Sequence, residues 1–309
     1  MVELRHPATT PMVRGLAAVE AIPANIIDTF LPGASQGWNA LTGGNLNLEE
    51  EEADTFTAGI VLTPDILGGI SMSVDYFEVE VEGAITQVSS QALVNACFDL
   101  LDNGSTPCQS IRRVPFSGLI DTVNAPLLNV ASRTVSGVDL AINYQTATPN
   151  WLSLPNNDGQ IGLRWVSTWQ LEDETQQLAN LAAVDCAGFY SGTCSADGNR
   201  ITPDFRGLFR VDWSSGPAAI SAELQMIGDL ELAPNAIPNE NGTIDSWYYL
   251  DISGKWNITE QISLFVGMNN AFDKAPPVIG FTGGGDSNTN IPLFDPLGRR
   301  YYGGVTVTF

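Results

Sequence analysis

The sequence is poor in positive charge and in histidine, and both shortages narrow the functions open to it. Of 309 residues, 35 are acidic and only 13 are Lys or Arg, so the formal net charge is −22. A surface of that sign repels phosphate backbones, so nucleic acid is not an expected partner. The single histidine is His6. The sequence also lacks a GxSxG elbow, a P-loop and a spaced metal-ligand cluster, so neither an enzyme nor a bound cofactor or metal is expected.

Long hydrophobic runs are missing as well. No stretch approaches the roughly 18 consecutive apolar residues of a membrane-spanning helix. The first residues, "MVELRHPATTPMVRG", carry charges but no apolar core of a secretory leader. Charged residues make up 16% of the chain, below the quarter that is usual for soluble domains.

The four cysteines form two close pairs in polar segments that contain Gly and Ser. This arrangement predicts two local disulfides, Cys97–Cys108 and Cys186–Cys194. A zinc site is the alternative, but the spacings are not CxxC-like and only one histidine is available. Disulfides would place the chain in an oxidising, extracytoplasmic compartment.

Period-two alternation of apolar and polar residues dominates the rest of the sequence. Nine segments, each of about nine residues or more, alternate in this way; they are residues 55–63, 69–76, 137–145, 159–170, 205–213, 218–226, 248–256, 261–269 and 301–309. Strands of globular proteins average about five or six residues, whereas tilted membrane strands need about 9–11. Because a soluble sandwich also alternates, alternation alone leaves both architectures open.

The connections between these segments alternate in length. Short ones follow the first, third, fifth and seventh segments, and long ones follow the second, fourth, sixth and eighth. Aromatic residues also concentrate near the strand ends. Both features are typical of outer-membrane barrels. We therefore expect an all-β fold, a transmembrane antiparallel β-barrel with long extracellular loops and short periplasmic turns. One long loop contains a helical pattern within residues 85–100.

Several stretches resemble the C-terminal half of the barrel of TonB-dependent outer-membrane receptors. They are "AIPANIIDTFLPG" (residues 21–33), "GGNLNLEEEEADTFTAGIVLTP" (43–64), "NVASRTVSGVDLAINYQ" (129–145), "YLDISGKWNITEQISLFVGMNNAFDKAPP" (249–277) and the ending "FDPLGRRYYGGVTVTF". They occur in order and at sensible spacing over most of residues 21–309. The chain departs from the family where "LEEEE" replaces the usual Lys-Pro and where "AIP" lacks the family's arginine.

The resemblance implies a Gram-negative outer-membrane receptor for TonB-energised uptake of a scarce ligand such as a ferric siderophore, cobalamin or glycan. The family barrel has 22 strands, so residues 1–309 are expected to be a C-terminal fragment with about nine of them. A signal peptide, a plug domain and the TonB-contacting segment are expected in a missing N-terminal part. Alternatives are a passive porin or adhesin barrel, and a secreted soluble β-sandwich that binds a ligand. The ligand-binding residues are not predicted.

The last strand resembles the signal that the outer-membrane barrel assembly machinery recognises. Tyr301, Val305, Val307 and the terminal Phe309 share one face of this strand. We expect these residues to form that assembly signal, with the C-terminus in the periplasm. An ordinary half-buried terminal strand is the alternative.

Overall fold

The computed structural model describes residues 38–65, 68–88, 90–100, 104–115, 118–129, 132–154, 158–176, 182–190, 194, 201–233, 242–279 and 288–308. The predictions for residues 21–33 and for Phe309 lie outside these ranges. The described residues belong to two units, which are taken in turn. The larger unit contains residues from 53–80, 133–175 and 184–309, and the smaller unit contains those from 38–52, 81–132 and 176–183.

The larger unit is built on one ordered sheet. Its strands are β2 (Glu52–Leu62), β3 (Ile70–Glu82), β7 (Ser132–Ala147), β8 (Gly159–Gln176), β11 (Phe205–Ser215), β12 (Ala218–Ile227), β15 (Trp247–Asn257), β16 (Ile262–Asn269) and β17 (Arg300–Val307). Hydrogen-bonded neighbours follow chain order from β2 at one end to β17 at the other. The ladders that join β8, β11, β12, β15, β16 and β17 are antiparallel. The predicted all-β antiparallel fold is therefore confirmed, and each of the nine predicted segments is a strand of this sheet.

The connections confirm the predicted alternation of lengths. β11 and β12 are joined by Gly216 and Pro217 alone, and Gly216 adopts a φ of 52°, which glycine tolerates without strain. β15 and β16 are joined by residues 258–261, whereas residues 228–246 separate β12 from β15 and residues 270–299 separate β16 from β17. The sheet therefore has a short-turn end and a long-connection end.

The long connections contain small strands of their own. These are β9 (Val184–Asp185), β10 (Phe189–Tyr190), β13 (Leu230–Leu232) and β14 (Thr243–Ile244). β9 pairs with β8, and β10, β13 and β14 form a separate three-stranded sheet. Two connections that are distant in sequence are thus held together by backbone hydrogen bonds.

The smaller unit is a small sheet with two helices. Its elements are β1 (Asn39–Gly43), β4 (Ile85–Gln87), α1 (Ser90–Leu100), α2 (Thr106–Gln109), β5 (Ile111–Arg113) and β6 (Ile120–Asn129). β6 pairs with β1, β4 and β5. Val88, Leu93, Val94, Val123 and Ala125 form its core. Leu93, Val94 and Cys97 are buried on α1 because their spacing places them on one face of the helix.

The predicted helix within residues 85–100 is confirmed over Ser90–Leu100 only. Residues 85–87 are instead the strand β4, because their backbone pairs with Leu127, Leu128 and Asn129 of β6. β6 itself was not predicted from the sequence, since its alternation is short and Pro126 argues against a strand with neighbours on both sides.

Candidate functional site

The two faces of the large sheet differ sharply in chemistry. One cross-strand row on the first face consists of Trp165, Phe209, Leu224 and Leu250. The adjacent row on the opposite face consists of Arg164, Arg210, Glu223 and Asp251. We call these the apolar face and the polar face. Because side chains alternate along a strand, each face keeps its character from β8 to β15.

Large apolar side chains on the apolar face are exposed. Trp165 is 37% exposed, Ile220 52% and Val266 54%. Aromatic side chains mark both ends of this face, with Trp256 near the short turns and Tyr248 and Tyr301 near the long connections. An exposed hydrophobic face that extends over many strands is typical of a surface that contacts a membrane or another protein.

The polar face contains a chain of ionic contacts. Arg210 Nε lies 2.9 Å from both carboxylate oxygens of Asp212, and its Nη1 lies 3.7 Å from Glu223 Oε2. Ser221 Oγ donates a 2.6 Å hydrogen bond to Asp212. Asp212 is therefore satisfied by a cation and a hydroxyl.

A recess of about 500 Å³ opens on this polar face. Its lining includes Gln160, Arg210, Ser221, Ser253, Lys255, Phe265 and Tyr302. Its floor is formed by small residues, since Gly162, Asp212, Ser221 and Ser253 follow one another across four strands. That volume lies within the range typical of small-molecule sites.

At the long-connection end, the larger unit has its own hydrophobic core. Tyr190, Leu230, Ile279 and Phe294 are almost completely buried and come from three different long connections. Ile244 of β14 belongs to the same cluster, and the ends of β12 and β15 contribute Ile227 and Tyr249. The three connections of this unit are thus packed against one another and against the sheet.

The buried carboxylate of Asp173 holds the C-terminal end of β8 in place. Asp173 is paired with Arg133 at 2.9 Å and accepts a 2.6 Å hydrogen bond from Thr202 Oγ1. Its backbone carbonyl accepts from Cys186 N at 3.0 Å. One residue therefore links β7, β8 and the connection that follows β8.

The "NNAFDKAPP" stretch forms a tight turn after β16. Asn270 is 1% exposed and has a φ of 49°. Its side chain accepts from Lys274 N at 2.8 Å and donates to Lys274 O at 2.9 Å, while Asp251 Oδ1 accepts from Asn270 N at 2.8 Å. Asn is suited to this left-handed position because its short amide can bond to the local backbone.

Asp204 and Asp229 lie at the same end of the sheet. Burial raises the pKa of the Asp204 carboxyl above its ordinary value, and the nearby charge of Asp229 raises it further. Hydrogen bonds from the local backbone act in the opposite direction.

Both predicted cysteine pairs are bonded in the structure. Cys97 in α1 is joined to Cys108 in α2, and Cys186 is joined to Cys194 in the β8–β11 connection. In the first pair the cysteines lie on helices and not in an open loop. Among the described residues, no group of three or more His, Cys, Asp or Glu side chains is placed to hold a metal ion. No helix within the described ranges is long and apolar enough to span a membrane.

The described residues of the expected assembly signal lie on the last strand of the sheet. Tyr301, Val305 and Val307 are 73%, 61% and 48% exposed, and they pair with Met268, Leu264 and Ile262 of β16. The structure thus places them on one apolar face.

Residues 17–271 match the family described as "TonB dependent receptor-like, beta-barrel". The chain belongs to the TonB-dependent receptor family. Members of this family are outer-membrane β-barrels of Gram-negative bacteria and act as receptors and transporters. A comparison with curated proteins gave no significant match.

Solved TonB-dependent receptors share the fold. A mutant of the ferric enterobactin receptor PfeA from Pseudomonas aeruginosa, in complex with enterobactin, is 17% identical, with a TM-score of 0.51 over 84% of this chain and 32% of that one. The siderophore receptor PirA from Acinetobacter baumannii is 13% identical, with a TM-score of 0.51 over the same shares of the two chains. The present chain therefore spans about a third of the length of these receptors.

Sequence reasoning did not find the polar-face recess of this TonB-dependent receptor chain. Its lining comes from several strands, so it depends on cross-strand register, which alternation within one strand does not reveal. The contacts of Asp173 with Arg133, Thr202 and Cys186, which we call the Asp173 hub, were missed for the same reason. The charged residues on the polar side of the strands were the one sequence signal that pointed to the recess and the hub.

Proposed function

We propose that this chain is part of an outer-membrane receptor that takes up a scarce ligand with energy supplied through TonB. The family match over residues 17–271 is the observation that carries the proposal. The unlike faces of the sheet support it, because a barrel wall needs an apolar face for lipid and a polar face for the lumen. The ligand would be an extracellular small molecule or glycan, such as a ferric siderophore, cobalamin or a similar compound.

The sheet ends at β2 and β17, and an unpaired strand edge is costly in lipid. We therefore propose that further strands complete the barrel and that residues 1–309 supply its C-terminal part. In the complete receptor, a plug domain and a TonB-contacting segment would lie on the N-terminal side.

Uptake of radioactive iron bound to a siderophore, measured in cells with and without this receptor, tests the proposal. Siderophores are tested first because matched structures contain enterobactin, and cobalamin and glycans follow. Uptake should require the receptor and stop when TonB is deleted or the proton gradient is collapsed. Uptake that continues without TonB would indicate a passive barrel, and recovery of the protein without detergent would indicate a soluble one.

The proposal includes an orientation, with long connections outside the cell and short turns and the C-terminus in the periplasm. Leu297→Cys and Trp151→Cys test it, because both positions are exposed and lie at opposite ends of the sheet. The four native cysteines are bonded and do not react. On intact cells a membrane-impermeant maleimide should label Leu297→Cys, whereas Trp151→Cys should react only after lysis. The reverse pattern would reject the orientation.

We also propose that Tyr301, Val305, Val307 and Phe309 form the signal read by the barrel assembly machinery. Val305→Asn should lower the amount of folded receptor in the outer membrane, while Thr306→Asn on the opposite face should not. Equal amounts for the two variants would assign the last strand an ordinary structural role.

A further inference from the structure

We infer that a groove on the apolar face of the large sheet holds one acyl chain of a phospholipid from the periplasmic leaflet of the outer membrane. The inference rests on the barrel and the orientation proposed above, and it adds a lipid-binding site that energised uptake by itself does not require. The groove has a volume of about 570 Å³, and it lies at the short-turn end of the sheet.

The rest of the receptor would leave this groove uncovered. Its lining comes from β3, β7, β8 and β11 and from the turn before β3. Each of these four strands already has both of its neighbours in the sheet, whereas further strands of a barrel would join at β2 and β17. A plug would lie in the lumen, on the polar side of the wall. Neither part therefore reaches the groove.

The lining of the groove suits a hydrocarbon chain. Ile70, Ile142 and Leu163 contribute aliphatic side chains. Trp165 and Phe209 contribute rings that meet edge to face, with centroids 6.3 Å apart. The described lining residues include no charged side chain, so a charged ligand would lose its hydration there without gaining a partner. An acyl chain would instead gain free energy by leaving no apolar wall unfilled.

The groove extends over the depth of one membrane leaflet. One end is at Gly68 in the turn before β3, where an added Cβ would meet no heavy atom within 4 Å. At the other end, Trp165 lies six residues after the start of β8, and Phe209 lies six residues before the end of β11. Six residues extend about 20 Å along a strand, and the usual strand tilt reduces this to a depth of about 15 Å. That is half of a hydrocarbon core of about 30 Å.

Tyr144 marks the end of the groove at which the headgroup would lie. The next residue, Gln145, donates its backbone N–H to Gly69 O at 2.8 Å, so Tyr144 is next to the turn. Tyrosine is typical of a membrane interface because its ring stays in hydrocarbon while its hydroxyl reaches polar groups. The other end of the acyl chain would contact the rings of Trp165 and Phe209. Lipopolysaccharide is not the expected occupant, because it belongs to the leaflet at the long-connection end.

Native mass spectrometry of the complete receptor tests the inference. The receptor is purified from outer membranes and washed with excess detergent to remove the lipids that merely surround it. The unaltered receptor should keep one glycerophospholipid per polypeptide chain.

Two tryptophan substitutions locate the lipid. Leu163→Trp places a ring in the groove and should displace about two methylene groups of the acyl chain, which corresponds to about a tenfold loss of bound phospholipid. Ile252→Trp is the matched control, because Ile252 lies in the same cross-strand row through Val211 and Ala222 and does not line the groove. It should keep the phospholipid.

Gly68→Leu is a second blocking variant, because its side chain would enter the open end of the groove. It should lose phospholipid as Leu163→Trp does, so the test does not depend on one variant. Heat-modifiable migration on gels checks that each variant forms a folded barrel.

Three results would overturn the inference. They are no retained phospholipid in the unaltered receptor, equal retention by the folded blocking variants and Ile252→Trp, and retention of lipopolysaccharide or of a second receptor copy in place of a phospholipid. TonB-dependent uptake by a receptor that retains no phospholipid would reject this site alone. Recovery of the receptor without detergent would instead reject the proposed function.

Discussion

The two ends of the large sheet share the same strands but differ in how the strands are connected. At the short-turn end, β11 and β12 are joined by two residues that only close a hairpin. At the long-connection end, Tyr190, Leu230, Ile279 and Phe294 form a core outside the sheet. The strands form the sheet, whereas the long connections add a second, packed hydrophobic core at one of its ends. Four predictions test how far this difference goes.

Removing the centre of the added core should have the largest effect. Phe294 is 2% exposed and packs edge-on against Trp247 with ring centroids 6.0 Å apart. Phe294→Ala should lower the free energy of unfolding by about 4 kcal/mol, because it removes a buried ring and leaves a cavity. Urea unfolding of the solubilised chain measures the change. Phe272→Ala in the same connection, where the ring is 77% exposed, should change it by less than about 0.5 kcal/mol. Similar losses for both phenylalanines would show that the added core is not a stabilising layer.

The disulfide of the β8–β11 connection should contribute next. Cys186 and Cys194 are eight residues apart, and replacing both with Ser should cost about 2.5 kcal/mol through the entropy of the unfolded chain. Hydrogen exchange should rise at β9 and β10. Replacing Cys97 and Cys108 with Ser is the control, and it should leave exchange at β9 and β10 unchanged. If both double variants raise exchange there equally, the disulfide does not act locally.

The buried hub at Asp173 should have a smaller effect. Asp173→Asn keeps the shape of the side chain but leaves Arg133 without its anion, which should cost about 2 kcal/mol. Asp273→Asn is the comparison, because Asp273 and Arg299 form an exposed pair 3.7 Å apart that should contribute less than about 1 kcal/mol. Equal changes in urea midpoint would contradict a special role for Asp173.

Asp204 should give the smallest effect, and that effect should depend on pH. Burial and the charge of Asp229 raise the pKa of the Asp204 carboxyl in the folded chain. Such a group contributes stability below its unfolded pKa of about 3.9, and loses that contribution as pH rises through the higher folded pKa. Asp204→Asn should therefore raise the melting temperature at pH 7, and the gain should disappear as pH falls towards 4. A gain that is constant over this range would contradict the cause given for the shift.

Much of this sheet could be predicted from the sequence because alternation is a local property. Each of the nine segments contains its own signal, since residues two apart share a face whatever the neighbouring strand is. Connection lengths are also read directly from the sequence, and Cys186 and Cys194 are close enough along the chain to suggest their own partner. The resemblance to the family motifs supported the prediction that these strands belong to a barrel.

The recess, the hub and the added core could not be predicted in this way. Lys255 faces Phe265, and Asp173 meets Arg133 and Thr202, only because particular registers bring distant segments together.

The sequence by itself determined the nine strands, their two unlike faces and the two disulfides, because each depends on residues that are near one another along the chain. The tertiary structure alone decided which ionic contacts form on the polar face and which connections share a core. Ion pairs and buried cores form between segments that are far apart in sequence. Their free energies depend on the distances between those segments, which the sequence of one segment does not specify.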